Sequence, residues 1–401
     1  MTGTVIVGAG QAGTSVAESL RKLGYEGRLT LVGAEVFPPY ERPPLSKSYL
    51  LGEAKKERLF LRPETIFAEN EIELRLGTPA TKVDTTTQSI RFGDAELPYE
   101  HLVFATGSDP VKLPAEIGGS LEGVHTVRTL LDIDEMSPRF VDGARVLIIG
   151  GGYVGLEAAA VAAKLGLNVT LVEMAPRILN RVACAQTADV IRTQHSRHGV
   201  NIREGVGLKQ LIGNDKVIAA ALTDGSYIDI DFAIVGIGIR PSVSLAQLSG
   251  LKIDNGIAVD HFGQTSVPHI WAAGDCASFP YKGDRIRLES VQNAIDQADA
   301  VARNILGQET MYLPYPWFWS DQYDLKLQIA GLNIGYDQIV SRETGAGLSH
   351  WYFKNGDFLA VDAINAPRDY MVGKRLLESN KTILPSEAAD LTIDLKMLLR
   401  S

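Results

Sequence analysis

Cysteine is scarce in this chain, with only Cys184 and Cys276 among 401 residues. The two cysteines are far apart and form no C-x-x-C pair, so a redox-active disulfide is not expected. An iron–sulfur cluster is not expected either, because such clusters usually take four cysteine ligands. We therefore interpret both residues as buried or incidental thiols, and we predict no metal site.

Long hydrophobic runs and a surplus of positive charge are also missing. No apolar run reaches the roughly 20 residues that a transmembrane helix needs, and the N-terminus leads into a strand without a basic leader. The 39 Lys and Arg residues face 48 Asp and Glu, and this net charge of −9 argues against a general nucleic-acid binder. We expect a soluble, cytoplasmic monomer that binds neither nucleic acid nor membranes.

Glycine is plentiful, at 39 residues, and it forms two G-x-G-x-x-G fingerprints that begin at Gly8 and Gly150. Each fingerprint follows a hydrophobic strand and opens a helix. In this setting the motif binds the pyrophosphate of a dinucleotide through backbone N–H groups at the helix start. Two fingerprints predict two dinucleotides held against each other, an arrangement that suits hydride transfer from one cofactor to the other.

A strand–helix–strand pattern surrounds each fingerprint, and this internal similarity predicts two related nucleotide-binding folds. The predicted elements cover residues 3–8, 11–24 and 28–33 in the first fold, and residues 144–150, 153–166 and 168–173 in the second. Strands at 102–107 and 270–275 continue the first theme, and a strand at 232–238 closes the second. After about residue 313, alternating apolar and polar stretches at 323–336 and 347–362 indicate antiparallel strands.

We therefore predict an α/β protein with two Rossmann-like domains, the second inserted in the first, and a smaller C-terminal α+β domain. The predicted bounds are 1–109 with 242–312 for the first domain, 110–241 for the second and 313–401 for the third.

An acidic residue usually follows the second strand of such a fold and binds the ribose hydroxyls of the dinucleotide. Glu35 is the candidate in the first fold and Glu173 in the second. A carboxylate at Glu173 would bind a free 2′-hydroxyl and repel the 2′-phosphate of NADPH. Met174 follows where an NADPH site tends to carry arginine, although Arg177 is nearby. The pattern favours NADH over NADPH.

Several motifs make the chain resemble the FAD-dependent pyridine nucleotide-disulfide oxidoreductase superfamily over nearly its whole length. Within that superfamily it is similar to the ferredoxin reductases of bacterial cytochrome P450 and ring-hydroxylating dioxygenase systems. The resemblance assigns FAD to the first fold and NADH to the second. The motifs lie at residues 43–50, 105–107, 150–157, 265–275 and 316–323.

The resemblance implies roles for three residues in electron transfer. Lys47 would lie near flavin N5, stabilise reduced flavin and orient Glu157. Glu157 would reach the nicotinamide carboxamide, although we place it in the first turn of its helix, where an acidic residue also complements the helix dipole. Trp319 would stand at the flavin edge that faces the acceptor, although the closely spaced Trp317 and Trp319 are also typical of core packing.

The fingerprints and the resemblance together give two sets of cofactor-binding positions. The FAD set is Gly8, Gly10, Ala12, Gly13, Glu35, Lys47, Ala80, Ala105, Thr106, Gly107, Arg128, Asp275 and Val291. The NAD set is Gly150, Gly152, Tyr153, Val154, Gly155, Glu157, Glu173 and Gly238.

The implied activity is hydride transfer from NADH to FAD, followed by single-electron transfer to a [2Fe-2S] ferredoxin that supplies a P450 or a dioxygenase. Disulfide reductases of the superfamily carry a redox cysteine near the flavin, and residues 38–49 contain none. Electrons must therefore leave to an external acceptor. The alternatives are a reductase of rubredoxin or another small acceptor, and an NADH-sensing flavoprotein resembling apoptosis-inducing factor. Arg285, Arg287 and Arg303 are candidates for a basic docking patch.

The scarcity of cysteine gives a direct test. Thiol-alkylating reagents are expected to leave NADH-dependent reduction of an external acceptor intact, because no thiol takes part in the proposed electron path. The measurement is acceptor reduction before and after treatment with the reagent. Strong inhibition by the reagent would indicate that a cysteine takes part in electron transfer.

Overall fold

A computed structural model describes residues 2–345 and 347–399 of the chain. The chain forms two compact units. Unit 1 holds the chain up to Arg42 together with Lys56–Asp109 and Ile239–Pro314, and unit 2 holds Pro43–Lys55, Pro110–Gly238 and the chain from Tyr315 onward. Each unit is described separately below.

The elements are numbered in chain order. The strands are β1 (Gly3–Val7), β2 (Leu29–Val32), β3 (Ile72–Arg75), β4 (Ala80–Asp84), β5 (Ser89–Phe92), β6 (Ala95–Phe104), β7 (Ser108–Pro110), β8 (Val124–His125), β9 (Arg145–Ile149), β10 (Asn168–Glu173), β11 (Asn201–Glu204), β12 (Leu208–Gly213), β13 (Val217–Leu222), β14 (Tyr227–Asp229), β15 (Phe232–Val235), β16 (Ile239–Pro241), β17 (Ile257–Ala258), β18 (Ile270–Ala272), β19 (Ala277–Tyr281), β20 (Asp284–Ile286), β21 (Trp317–Gln322), β22 (Leu325–Gly331), β23 (Gln338–Thr344), β24 (Gly347–Lys354) and β25 (Asp357–Ile364). The helices are α1 (Gln11–Lys22), α2 (Glu64–Glu69), α3 (Leu130–Met136), α4 (Tyr153–Lys164), α5 (Ala185–Arg197), α6 (Ser244–Leu248), α7 (Val291–Ile305), α8 (Pro367–Glu378) and α9 (Pro385–Ala389).

Unit 1 is built on a parallel sheet in the order β3-β2-β1-β6, with β18 pairing on the far side of β6. Every residue of β1 and β2 is buried, as expected for strands covered on both faces. The helices α1 and α7 bury small residues such as Ala17 and Ala298 in one shared cluster with Ile6 and Leu31. The carboxyl ends of the parallel strands therefore meet at one edge, where such sheets bind ligands.

Unit 2 contains a second parallel sheet in the order β11-β10-β9-β15-β8. The antiparallel strands β12, β13 and β14 form a separate small sheet, and Leu211 and Ala220 of this sheet share a core cluster with Leu147. The arrangement β9–α4–β10 repeats β1–α1–β2 of unit 1, so each fingerprint turn joins a central strand to its helix.

The C-terminal part of unit 2 is an antiparallel sheet in the order β21-β22-β25-β24-β23. One face packs Trp351, Phe353 and Val361 beneath α8. The opposite face carries the buried Asp362, which accepts a hydrogen bond at 2.7 Å from Thr187 of α5. The hydrogen bond between Thr187 and Asp362 connects this sheet to α5, the helix that follows β10. Burial raises the pKa of the Asp362 carboxyl to about 6.

The predicted fold class is confirmed, and the predicted helices differ only at their ends. Helix α1 ends at Lys22 and α4 at Lys164, each two residues before its predicted limit. Gly24 and Gly166 then adopt positive φ angles of 88° and 83°, a conformation that ends helices. Among residues 2–345 and 347–399, no helix is long and apolar enough to span a membrane.

The three-domain division remains a prediction, and one segment differs from it. Residues Pro43–Lys55 were included in the first nucleotide-binding domain, whereas this segment belongs to unit 2. The difference matters because the segment contains Lys47. Its place in unit 2 depends on contacts with α4, which local sequence patterns do not show.

Candidate functional site

The outer glycines of both fingerprints are required by the protein backbone itself. Gly8 has a φ of 113°, and a Cβ atom there would lie 2.1 Å from the carbonyl oxygen of Ala105. A Cβ atom at Gly13 would lie 1.9 Å from the carbonyl oxygen of Gly8. Gly150 and Gly155 repeat both constraints, with contacts of 2.4 Å and 2.2 Å to backbone oxygens. Any side chain would force the strand and helix apart.

The middle glycines, Gly10 and Gly152, have no such constraint. A Cβ atom at either position would meet no atom of the protein within 4 Å. These residues are the N-caps of α1 and α4. Because glycine has no side chain, no side chain caps the N–H groups of the first helical turn. The open space and the helix N–H groups fit the close approach of a pyrophosphate. Each unit therefore has a cradle that a dinucleotide can occupy.

Glu35 lies three residues beyond β2, where a ribose-binding carboxylate was predicted. Arg42 donates a hydrogen bond of 2.6 Å to one of its carboxylate oxygens, and the Tyr40 hydroxyl donates to the other. The Arg42 guanidinium lies over the Tyr40 ring, 5.1 Å from the ring centre. Burial tends to lower the pKa of Arg42, but the neighbouring Tyr40, Glu35 and Asp275 outweigh it and raise the pKa. The carboxylate is thus held rigidly at the strand edge.

Glu173 ends β10 and joins two backbone segments of unit 2. Its carboxylate accepts bonds of 2.7 Å from the N–H groups of Gly151 and Ala175. An ionised carboxylate offers about four acceptor positions, so positions remain for ribose hydroxyls. The Arg177 guanidinium donates instead to backbone carbonyls, including that of Ala183 at 2.7 Å. Arg177 therefore stabilises its own loop.

The strand ends of β6 and β18 place further predicted residues at the same edge of unit 1. Ala105, Thr106 and Gly107 follow β6 directly, and Asp275 follows β18. The Ser108 hydroxyl donates to the Asp275 carboxylate at 2.9 Å, and the Thr106 hydroxyl donates to the Ser242 carbonyl at 2.6 Å. These bonds fix the two turns that face the first cradle.

Lys47 and Glu157 form an ion pair within unit 2, with 2.7 Å between the lysine Nζ and a glutamate oxygen. Glu157 is only 4% exposed. Its carboxylate also accepts bonds of 2.6 Å from the hydroxyls of Ser46 and Ser320. A buried carboxylate requires such compensation, because an unpaired buried charge is very costly.

The expected position of Glu157 in the first helical turn is wrong. Helix α4 begins at Tyr153 and has no acidic residue in its first turn, so Glu157 lies in the second turn. The helix-end effect on charge fades beyond the first turn. The ion pair and the two serines, rather than the helix dipole, account for a carboxylate at this position.

Aromatic residues of β21 pack against the start of α4. Phe318 packs on Tyr153 with ring centres 4.8 Å apart. The Trp317 and Trp319 rings lie 5.6 Å apart, and the Lys374 ammonium lies 5.1 Å from the centre of the Trp317 ring. All three aromatic residues of the strand are half-buried. Trp319 therefore has both packing contacts and an exposed part.

The remaining predicted positions fall on both units. Ala12 is buried in α1, and Val154 is exposed in the first turn of α4. Ala80 begins β4 and Val291 begins α7 in unit 1, whereas Arg128 precedes α3 and Gly238 follows β15 in unit 2. The backbone N–H of Arg128 donates to the Asp132 carboxylate at 3.1 Å. Roles for these residues toward a cofactor stay predictions.

The candidate docking arginines all lie in unit 1 and make contacts within it. Arg287 is only 10% exposed and pairs with Glu289. Arg285 donates to the Val259 carbonyl at 3.0 Å, and Arg303 pairs with Asp299 at 2.7 Å. These arginines stabilise loops and a helix of unit 1 and meet acidic partners. Arg285 and Arg303 remain partly exposed, and a role for the three arginines in docking stays a prediction.

Both cysteines are buried and free of disulfides. The Cys184 sulfur caps α5 by accepting from the Thr187 N–H at 3.4 Å. The Cys276 thiol donates to the Ala273 carbonyl at 3.4 Å, and burial raises the pKa of this thiol. A raised pKa disfavours the reactive thiolate of Cys276, and Cys184 serves as a helix cap.

The donors Ser46 and Ser320 were missed in the sequence. Ser320 belongs to β21, where Ser320 and Gln322 are buried polar residues on one face of the strand. Two polar residues at alternate positions of one strand are the sequence signal that could have indicated a buried polar site, because buried polar groups need hydrogen-bond partners. The partner of Ser320 is Glu157, which lies 163 residues away in the sequence. A local pattern cannot identify it.

Comparisons with known proteins agree with this geometry. The pattern described as pyridine nucleotide-disulphide oxidoreductase matches residues 2–298, and a reductase C-terminal pattern matches residues 317–399. Rhodocoxin reductase of Rhodococcus erythropolis is 41% identical, with 98% of this chain and 94% of the relative covered. A ferredoxin–NAD(P)(+) reductase of a Sphingomonas species is 44% identical, with 95% and 94% covered.

A solved structure extends the likeness to three dimensions. The crystal structure of the covalent putidaredoxin reductase–putidaredoxin complex matches with a TM-score of 0.96 and 37% identity. The match covers 100% of this chain and 98% of that chain. Similarity at this level extends over both nucleotide-binding folds and the C-terminal sheet.

The open space at Gly10 and Gly152 predicts that FAD binding and NAD⁺ binding can be lost separately. Gly10→Val is expected to yield folded protein without the yellow FAD spectrum, because the side chain would fill the first cradle. Gly152→Val is expected to keep FAD and to weaken NAD⁺ binding by about tenfold or more, roughly the effect of losing one good hydrogen bond. The measurements are the flavin absorbance and an NAD⁺ titration.

Each variant is the control for the other, since both add the same side chain at matched positions. A full flavin spectrum in Gly10→Val, or unchanged NAD⁺ affinity in Gly152→Val, would contradict the assignment of that cradle.

Proposed function

The chain belongs to the pyridine nucleotide-disulphide oxidoreductase family, and from this membership we propose that it is an NADH-dependent ferredoxin reductase. It takes electrons from NADH through FAD and delivers them to a [2Fe-2S] ferredoxin that serves a cytochrome P450 or a ring-hydroxylating dioxygenase. The observation that carries the proposal is the pair of nucleotide cradles, one in each unit, each with a middle glycine that no protein contact requires.

FAD, when bound, supplies a group that accepts two electrons at once and releases them singly. The residues that fit it in unit 1 are the first fingerprint, the Glu35 carboxylate and Asp275. The fixed turns after β6 and β18 orient these groups before any ligand arrives. Preorganisation of this kind lowers the entropic cost of binding and positioning.

NADH is the nucleotide that the second cradle favours. The Glu173 carboxylate at the end of β10 would accept from the ribose 2′-hydroxyl and would repel a 2′-phosphate. The donor groups of Arg177 are occupied by backbone carbonyls of residues 178–183 and are not free to bind a phosphate. A dedicated phosphate site would need such a cation.

Lys47 and Glu157 are the residues proposed to act nearest the reacting groups. The lysine carries a positive charge that favours extra electron density on a neighbouring group. The buried glutamate holds that charge in place through the ion pair of 2.7 Å. The pair thus preserves a cation in a fixed position. Trp319 is proposed to cover the edge of the site toward the acceptor.

The acceptor must be external, because the protein offers no thiol for electrons. Cys184 and Cys276 are both buried and free of disulfides, and burial raises the pKa of the Cys276 thiol. Relatives named as reductases of rhodocoxin and ferredoxin, and a structure containing putidaredoxin, support a small redox protein. We propose that transfer takes place in the cytoplasm and that this chain acts as a monomer.

A rubredoxin reductase and an NADH-sensing flavoprotein are the alternatives that an experiment must separate. The proposal predicts rapid flavin reduction by NADH, and turnover with a [2Fe-2S] ferredoxin at least about tenfold faster than with rubredoxin. Stopped-flow spectroscopy measures the first and steady-state assays the second, with ferricyanide as the control acceptor.

Two outcomes would contradict the proposal. Faster turnover with rubredoxin would identify a different acceptor. Slow flavin reduction with a long-lived charge-transfer complex would indicate a sensor.

The nucleotide preference can be tested by exchanging the charge at the end of β10. Glu173→Ala with Met174→Arg is expected to shift preference toward NADPH and to lower kcat/KM for NADH about 10- to 100-fold, since a hydrogen bond to a charged group contributes about 1.5–3 kcal/mol. Steady-state kinetics with both nucleotides is the measurement.

Met174→Arg alone is the matched control, because it adds the cation and keeps the carboxylate. A double variant with the same NADH-to-NADPH preference as the parent protein would remove Glu173 from the ribose site.

A further inference from the structure

A continuous series of hydrogen bonds joins the Glu157 carboxylate to the buried His195 of α5. Ser320 Oγ lies 2.6 Å from Glu157 Oε1, and Gln322 Nε2 lies 3.1 Å from Ser320 Oγ. Gln322 Oε1 then lies 2.8 Å from His195 Nε2, and Tyr323 Oη lies 3.2 Å from His195 Nδ1. All these groups belong to unit 2.

The chemistry of the groups fixes the direction of every bond. The Gln322 carbonyl oxygen can only accept, so His195 Nε2 must carry the proton. His195 Nδ1 then accepts from the Tyr323 hydroxyl. Gln322 donates through its amide nitrogen to Ser320, and Ser320 is left to donate to Glu157. The whole series therefore donates toward the carboxylate, an arrangement in which each bond strengthens the next.

Burial makes this arrangement stiff. Ser320, Gln322 and His195 are all buried, so water cannot replace a broken bond and each loss would leave an unsatisfied group. Burial also lowers the pKa of His195 to about 4. The ring is therefore neutral near pH 7, and a neutral ring keeps a single donor at Nε2. The Tyr323 ring stacks on His198, with 3.7 Å between ring centres, at the outer end.

Glu157 has three donors among the described residues: Ser46 and Lys47 on one oxygen and Ser320 on the other. An ionised carboxylate has about four acceptor positions, so one position remains, on Oε1. The nearby Tyr153 phenol is neutral, because burial and the negative charges around it, including that of Glu157, raise its pKa well above the usual value. Within the described part of the chain, Lys47 is the one positive charge paired with Glu157.

We infer that Ser320, Gln322 and His195 are positioning residues that aim the free acceptor position of Glu157 at the N–H of the nicotinamide carboxamide. The inference rests on the proposed function, because it requires a nicotinamide nucleotide in the second cradle. It gives the C-terminal sheet a part in recognising the reactive half of the nucleotide.

The test compares three ligands by equilibrium titration, so no electron transfer is needed. NAD⁺ has the carboxamide N–H, 3-acetylpyridine adenine dinucleotide replaces the amide with a methyl ketone, and ADP-ribose lacks the ring entirely. The parent protein is expected to bind NAD⁺ about tenfold more tightly than the acetylpyridine analogue, the effect of about one hydrogen bond to a charged group.

Ser320→Ala and His195→Leu are expected to bring this ratio close to one while leaving ADP-ribose affinity unchanged. His195→Gln is the matched control, because its side-chain amide can replace the Nε2 donor to Gln322, and it is expected to restore the ratio. Retained FAD and an unchanged circular dichroism spectrum show that each variant folds. Ser320→Ala removes only one oxygen and serves if His195→Leu does not fold.

An unchanged ratio in folded Ser320→Ala would overturn the inference, and so would equal weakening of all three ligands. These results are distinct from failure of the proposed function. Suppose that the parent protein fails to reduce ferredoxin, but the variants bring the ratio of NAD⁺ affinity to analogue affinity close to one. This result would refute ferredoxin as the acceptor and would support the positioning role.

Discussion

Both nucleotide cradles depend on a contact between backbones that leaves no room for a side chain. In unit 1 the α-carbon of Gly13 sits against the carbonyl of Gly8, and in unit 2 Gly155 sits against Gly150 in the same way. The contact fixes where each helix begins and aims its free N–H groups beyond the strand edge. Glu35 after β2 and Glu173 at the end of β10 are then placed by the strands that flank this contact, so one steric constraint positions most of each cradle.

A second constraint acts in unit 2, where the Glu157 carboxylate is buried. Glu157 is stabilised by groups from the 43–47 segment and from β21, which are far apart in sequence. Removing either set would leave the charge undercompensated, and breaking a buried pair typically costs about 3–5 kcal/mol. The need to satisfy one charge thus helps to explain why this segment and the C-terminal sheet both belong to the same compact unit as α4.

Local sequence patterns predicted the parts of this protein that depend on local geometry. The fingerprints, their strands and helices and the position of Glu173 follow from period, glycine spacing and strand length, and these features are present in the structure. The resemblance predicted Lys47 beside Glu157. It did not predict Ser46 or Ser320, because a hydroxyl in a polar stretch gives no sign of a carboxylate that lies 111 or 163 residues away. A role for the docking arginines stays a prediction, although the sequence already places Glu289 two residues from Arg287 and Asp299 four residues from Arg303, where they form ion pairs.

The segment around Lys47 shows how a chain of this family can function without a redox thiol. Ser46 and Lys47 present hydrogen-bond donors to Glu157, and this segment contains no cysteine. Serine and lysine cannot store electrons, but they can hold a charge in a fixed place. The segment therefore has an electrostatic role, and electrons that reach the flavin have no covalent destination within the protein. A chain built in this way requires a partner that accepts electrons at the surface, which is the chemical reason for placing a small redox protein at the end of the path.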